Sequence, residues 1–153
     1  MILAIVQARM GSTRLPGKVL MEGGGKPFLL HQVERVRRAN KIEEVIVATT
    51  DQPCDDLIEQ LCSTQGISIY RGSEDDVLGR VAACLQSYKG WGHVELVGDS
   101  PFVDPTIVDT FIEYFVCHMD DIDYVSNGIE ITYPNGAEVN VYRVDTLLEC
   151  ETR

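Results

Sequence analysis

The chain has 153 residues, 24 acidic and 13 basic, for a net charge of −11, and is 44% hydrophobic with 13 Gly and 6 Pro. That length and mixture suit one globular domain and exclude disordered, collagen-like and coiled-coil chains. No apolar run reaches the ~18 residues of a membrane span, and the opening MILAIVQARMGSTR is too short for a signal peptide's core, so the expectation is a cytoplasmic protein with no membrane partner. The excess of acid argues against nucleic acid as a partner. It is not uniform, however: eight of the 13 Lys and Arg lie in residues 1–41, with only Glu22 and Glu34 as acids there. An acidic chain with one basic end predicts a local anion site.

In chain order, ILAIVQ (Ile2–Gln7) reads as a buried strand stopped by Gly11, Pro16 and Gly17. A helix is predicted over Phe28–Ala39, apolar at Leu29, Leu30, Val33 and Val36, then a strand over Glu44–Thr49. Asp51 and Pro53 signal the start of a helix reaching about Gln65. Ile67–Tyr70 is a third strand, followed by a helix through Leu85 capped by Ser73 or Asp75. His93–Val97 is a fourth strand. Asp104-Pro105 opens a helix to about His118, and strand-like Asp123–Ser126 and Glu138–Tyr142 flank a turn at Pro134-Asn135-Gly136. Strands alternating with helices predict an α/β fold of three layers, α/β/α and Rossmann-like, on a mainly parallel sheet. The five cysteines, an odd number without CxxC, read as free thiols acting as small hydrophobes, and Trp91 as a packing plug. His31, His93 and His118 are spaced unlike metal ligands or a catalytic pair and read as structural or surface residues.

In such a sheet, ligands bind outside the carboxyl ends of the strands. The loop after the first strand, QARMGSTRLPGK, falls there and offers Arg9, Arg14 and Lys18 around Gly11, Ser12 and Gly17, so that amides, a hydroxyl and three cations can converge on a small anion such as a triphosphate. It matches neither GxxxxGK[ST] nor GxGxxG. At the end of the fourth strand, LVGDSPFVDP lets the chain turn at Gly98 and sets Asp99 where a carboxylate can hold Mg²⁺ against a triphosphate; Asp104 reads as a helix cap. RGSEDDVLGR puts Arg71, Ser73 and Arg80 at the third strand's end, divided between capping and site roles.

These segments, IVQARMGSTRLPGKVL, VIVATTDQPCDDLI, IYRGSEDDVLGR, VGDSPFVDP and YPNGAEVNVY, taken in order, resemble the sugar-nucleotide cytidylyltransferases, in particular the spore-coat polysaccharide branch akin to enzymes that make CMP-activated sugar acids. The resemblance implies a glycosyltransferase-A-like nucleotidyltransferase fold and Mg²⁺-dependent transfer of CMP from CTP to a sugar or sugar acid with release of pyrophosphate. It implies that Arg9, Gly11, Ser12, Thr13, Arg14 and Lys18 cradle the triphosphate, that backbone near Ala8 and Arg9 faces the base, that Ser73 and Arg80 lie along the nucleotide or sugar, and that Asp99 holds the metal. Arg14, Lys18 and Asp99 would be the catalytic set. Val97, Gly79 and Asn140 stand where relatives carry other residues. On this reading residues 1–153 form one nucleotidyltransferase-like domain without the family's C-terminal part, which helps build a homodimer. A catalytically incomplete nucleotide-binding module and a transferase of the same fold that consumes a nucleotide sugar are the alternatives.

Overall fold

β1 (Ile2–Gln7) lies inside a six-stranded sheet in the computed structural model, which describes residues 1–130 and 132–152. Its residues Ile2–Val6 are all buried, as an apolar run must be when helices cover both sides of it. The strand order is β5 (Ser68–Gly72), β4 (Glu44–Thr50), β1, β6 (Gly92–Val97), β8 (Asn140–Arg143), β7 (Tyr124–Ser126). The first four run parallel, whereas β8 is antiparallel to both β6 and β7, so the sheet is mainly parallel.

Side chains alternate across the sheet and so build two cores. On one face Ala4 and Val6 meet α1 (Phe28–Val36), α2 (Asp56–Thr64) and α4 (Pro105–Cys117) through Leu29, Val33, Ile58 and Ile112. On the other, Leu3 and Ile5 meet α3 (Val77–Tyr88) and α5 (Val144–Glu151) through Val81, Leu85 and Val144. The three layers expected from the sequence are therefore present. Among the described residues no helix is long and apolar enough to cross a membrane.

Several local expectations are corrected. The first helix ends at Val36 rather than Ala39, because the Arg38 and Ala39 amides bond as turns, three residues back, to the carbonyls of Arg35 and Val36. The helix after β5 is capped by Asp76, whose carboxylate accepts from the Gly79 amide at 2.7 Å; neither Ser73 nor Asp75 caps it, and the Ser73 hydroxyl accepts instead from the Asp76 amide. Asp51 caps nothing either, since a 3₁₀ turn at Pro53–Asp55 intervenes before α2. The β2 (Glu22–Gly23) and β3 (Lys26–Pro27) ribbon turns through Gly24 and Gly25, both at positive φ, and its two-residue strands are too short to show a period in sequence. All five cysteines are free: Cys62 and Cys84 are buried, their thiols pushed up by burial to about 11 and about 12, but Cys54, Cys117 and Cys150 are exposed and are not core residues. Trp91 is only partly a plug, stacking on Phe115 with one side open to solvent.

His93 is wholly buried on β6 against the Tyr142 ring, and among the described residues neither ring nitrogen has a partner at hydrogen-bonding distance and angle. Burial lowers its pKa from 6.5 to about 4, offset only in part by the Leu3 backbone. The unfolded chain thus binds the proton more readily, so the stability associated with neutral His93 is complete above about pH 6.5 and declines as the pH falls toward about 4. His93→Phe, which keeps the stacking surface, should flatten the melting temperature against pH across that window, removing an acid sensitivity worth up to about 3 kcal/mol. An equally steep pH profile in the variant would discount His93.

Candidate functional site

The site is built where β1 and β6 end side by side. The Gly98 amide donates to the Gln7 carbonyl at 2.8 Å, and a Cβ on Gly98 would lie 2.5 Å from that carbonyl oxygen and 3.0 Å from the Ala8 Cβ. Only glycine allows this approach. It sets Asp99 beside the loop that leaves β1, close enough for the Lys18 ammonium to pair with the Asp99 carboxylate.

That loop is organised by one residue, Met10. Its carbonyl accepts from the amides of Ser12 and Gly17, both at 2.9 Å, closing the segment between them, and Gly17 takes a left-handed conformation (φ 72°) that turns the chain into the 3₁₀ segment Lys18–Leu20. The Ser12 hydroxyl accepts from the Leu15 amide. The amides of Ser12, Leu15 and Gly17 therefore point inward, and among the described residues those of Gly11, Thr13 and Arg14 are left without a partner. Arg9, Ser12, Thr13, Arg14, Lys18 and Asp99 line one cavity of about 300 Å³. Three cations and one carboxylate around such a space form a receptor for a small polyanion.

Arg9 also borders a smaller cavity, with Ala8, Val77 and Arg80. The Arg80 guanidinium is buried and donates to the Ser73 carbonyl, and among the described residues its Nε has no partner. Burial, and after it the nearby Arg9 charge, lowers its pKa below the ordinary arginine value. Arginine stays charged at neutral pH, so two neighbouring cations here gain from an anion between them. Arg9 meanwhile pairs with Glu74 at 3.2 Å, an exposed contact that a stronger anion can displace. Gly11 lies next to the same Glu74 carboxylate.

Of the residues singled out from sequence, the fold thus gathers Arg9, Ser12, Thr13, Arg14, Lys18 and Asp99 on one cavity and Ala8 with Arg80 on the next. Ser73 lines neither, and its link to the site runs through its carbonyl on Arg80. Asp104 does cap α4, accepting from the Thr106 amide at 2.8 Å, and that bond holds its carboxyl below the usual range. Among the described residues no three His, Cys, Asp or Glu side chains come together as a metal site. A divalent cation at Asp99 would need further oxygens, which a bound triphosphate supplies; Mg²⁺ is commonly held by one or two carboxylates plus substrate phosphates.

Two contributions were not read from the sequence. Gln7 lines both cavities and donates to Glu95 at 2.8 Å. A wider cavity of about 900 Å³ opens beyond Arg14, Lys18 and Asp99, walled by Phe28, Phe102 and Glu138. The sequence marked the LVGDSPFVDP segment and the Pro134-Asn135-Gly136 turn with the strand-like run from Glu138, but their place together beside Lys18 is a tertiary fact.

The sequence model of a family described as Cytidylyltransferase matches residues 3–146. The chain is 41% identical over 131 residues to the spore coat polysaccharide biosynthesis protein SpsF of Bacillus subtilis (strain 168), covering 83% of this chain and 55% of that protein. It is 37% identical over 117 residues to a 3-deoxy-manno-octulosonate cytidylyltransferase of Trichlorobacter lovleyi, covering 75% of this chain and 45% of the relative. A solved cytidylyltransferase structure from Leptospira borgpetersenii superposes with a TM-score of 0.94 at 30% identity, over 99% of this chain and 63% of that one. The chain spans about half the length of these curated relatives.

Gly98→Ala should force the β6 end away from β1 and cost about 1–3 kcal/mol, the usual range for overpacking. Chemical denaturation and binding of inorganic tripolyphosphate would check it, with both stability and affinity expected to fall. An unchanged denaturation midpoint would show that the strand ends tolerate separation.

Proposed function

We propose, since the chain belongs to the cytidylyltransferase family, that it binds CTP and transfers CMP to a hydroxyl of a sugar or sugar acid, releasing pyrophosphate. The observation that carries this reading is the convergence of Arg9, Arg14 and Lys18 from one loop with Asp99 from a strand end 81 residues beyond Lys18, around a single cavity. The names of the matched proteins, one a sugar-acid cytidylyltransferase and one a spore coat polysaccharide protein, support the acceptor class.

Phosphoryl-type transfer asks a protein mainly for position and for positive charge where negative charge develops. In this scheme Arg14 and Lys18 receive the charge that builds on the departing pyrophosphate, helped by the free amides of Gly11, Thr13 and Arg14 and by the Ser12 hydroxyl. Ala8, Arg9 and Arg80 lie along the nucleoside end, with Ser73 steadying Arg80. A phosphate that draws Lys18 away from Asp99 would free the carboxylate. Asp99 would then hold Mg²⁺ jointly with phosphate oxygens, and the ion, when bound, supplies Lewis-acid neutralisation of the triphosphate. The wider cavity past Lys18 and Asp99, with Phe28 and Glu138 on its wall, offers the acceptor a place adjoining the triphosphate site.

The test is thermal stabilisation by each nucleoside triphosphate, with and without Mg²⁺, followed by assay of pyrophosphate release with sugar acids. CTP at 100 times its dissociation constant should add about 2.7 kcal/mol. A shift selective for CTP and enhanced by Mg²⁺ is expected, and equal shifts with all four triphosphates would remove the assignment of the base. CTP binding without pyrophosphate release from any acceptor would favour a nucleotide-binding module. Lys18→Ala should lower turnover about 10²–10³-fold, the usual cost of deleting one preorganised charge-stabilising donor, and Asp99→Asn should abolish the Mg²⁺ enhancement of CTP binding. Full activity in either variant would strike that residue from the mechanism.

A further inference from the structure

Asp55 has no part in the chemistry above, yet it is a fully buried carboxylate on the seam between the anion loop and β4. Burying an ionised carboxylate is costly unless its oxygens are hydrogen-bonded. Here both are: Oδ1 accepts from the Met10 amide at 2.7 Å, and Oδ2 accepts from the Thr50 amide at 3.1 Å and from the Thr50 hydroxyl. Burial is the largest influence on its pKa and acts upward, but the bonds from Thr50 and Met10 outweigh it, so Asp55 titrates below the ordinary aspartate value and stays ionised.

The Met10 end of this contact matters because the two arms of the loop hang from the same residue. Its amide is held by Asp55 while its carbonyl takes the amides of Ser12 and Gly17, and only the φ and ψ of one residue separate the two groups. Among the described residues, Asp55 is the one side chain from outside the loop that bonds to the backbone of residues 9–17. The Thr50 end has a second brace, since the Arg71 guanidinium donates to the carbonyls of Thr50 and Gln52, each at 3.0 Å. Loss of Asp55 would therefore release the loop more than the strand.

We infer that Asp55 is a positioning residue for the phosphate loop: by anchoring the Met10 amide it fixes the carbonyl from which Ser12 and Gly17 are hung, and through Gly17 the place of Lys18. The inference rests on the nucleotide reading of the site. Its action is on the polyphosphate end of the ligand, so it predicts unequal losses for CTP and CMP.

Asp55→Ala removes both acceptor oxygens, so neither the Met10 amide nor Thr50 keeps its bond at this position. Affinity for CTP should fall about tenfold or more, that for CMP about twofold or less, and amide hydrogen exchange at Ser12 and Gly17 should accelerate in the ligand-free variant. Thr50→Val removes the hydroxyl's bonds to Asp55 and from the Gln52 amide but leaves the Met10 contact, and should lower the melting temperature while leaving the CTP-to-CMP affinity ratio as in the parent. An unchanged ratio and unchanged exchange at Ser12 and Gly17 in folded Asp55→Ala would overturn the anchor alone. A parent chain that binds CTP no better than CMP would overturn the nucleotide reading, and the inference with it. Should Asp55→Ala not fold, exchange in the parent decides: Met10, Ser12 and Gly17 protected together, with Gly11 and Thr13 open, supports the anchor, and rapid exchange at Met10 overturns it.

Discussion

The contact between the Gly98 amide and the Gln7 carbonyl is the constraint on which the site depends. β1 and β6 pair in parallel up to Gln7 opposite Val97, so the two chains emerge from the same end of the sheet. Because residue 98 has no side chain, they emerge in contact, and a loop of cations and a lone carboxylate become neighbours across 81 residues of sequence. On the opposite flank of β1, Asp55 ties Met10 to the end of β4. The anion loop is thus clamped from both neighbouring strands, and its freedom is confined to the segment between Met10 and Gly17.

The electrostatics follow a consistent plan. A chain with net charge −11 repels anions at long range, yet salt screens that repulsion beyond about 10 Å, and inside the cleft the local charges dominate. Arg9 rests on Glu74 and Lys18 on Asp99, contacts that hold long side chains near the site without locking them there. Arg14 has no ion-pair partner among the described residues, and Arg80 is buried beside another cation. Each of these four cations would gain from a polyphosphate bound between them. Arg71, which stood beside Ser73 and Arg80 in the same sequence motif, does different work: its guanidinium is occupied by Asp56, Glu59 and two carbonyls, and it braces the β4 end.

Much of the fold was legible because its signals are local. ILAIVQ is apolar on both faces, the Asp104-Pro105 pair announces a capped helix, and the alternation of strands and helices already implies layers. Signals failed where several residues compete for one local role. Ser73, Asp75 and Asp76 are all able to cap, and the choice fell to Asp76 because the Ser73 hydroxyl is spent on the Asp76 amide. The antiparallel β8 and the short α5 carry weak periodicity and are held by the sheet and by α3 rather than by propensity.

Within the site, residue chemistry alone marked Arg9, Arg14, Lys18 and Asp99, because three cations among glycines after one strand and a Gly-Asp pair after another are uncommon uses of a strand end. Sequence could not distinguish which loop amides face outward, since Ser12 and Gly17 turn toward the Met10 carbonyl only once the loop has closed. Nor could it reveal Asp55, which reads as one more acid in a helix start until β1 and β4 pair and bury it. The sequence by itself determined the layers, the anion loop and the chemical character of the cleft, all of which arise from residues near one another in the chain. Tertiary structure alone decided the pairing of Lys18 with Asp99, the anchoring of Met10 and the cavity walls. Those contacts join distant segments, and their geometry exists only after the strands have aligned.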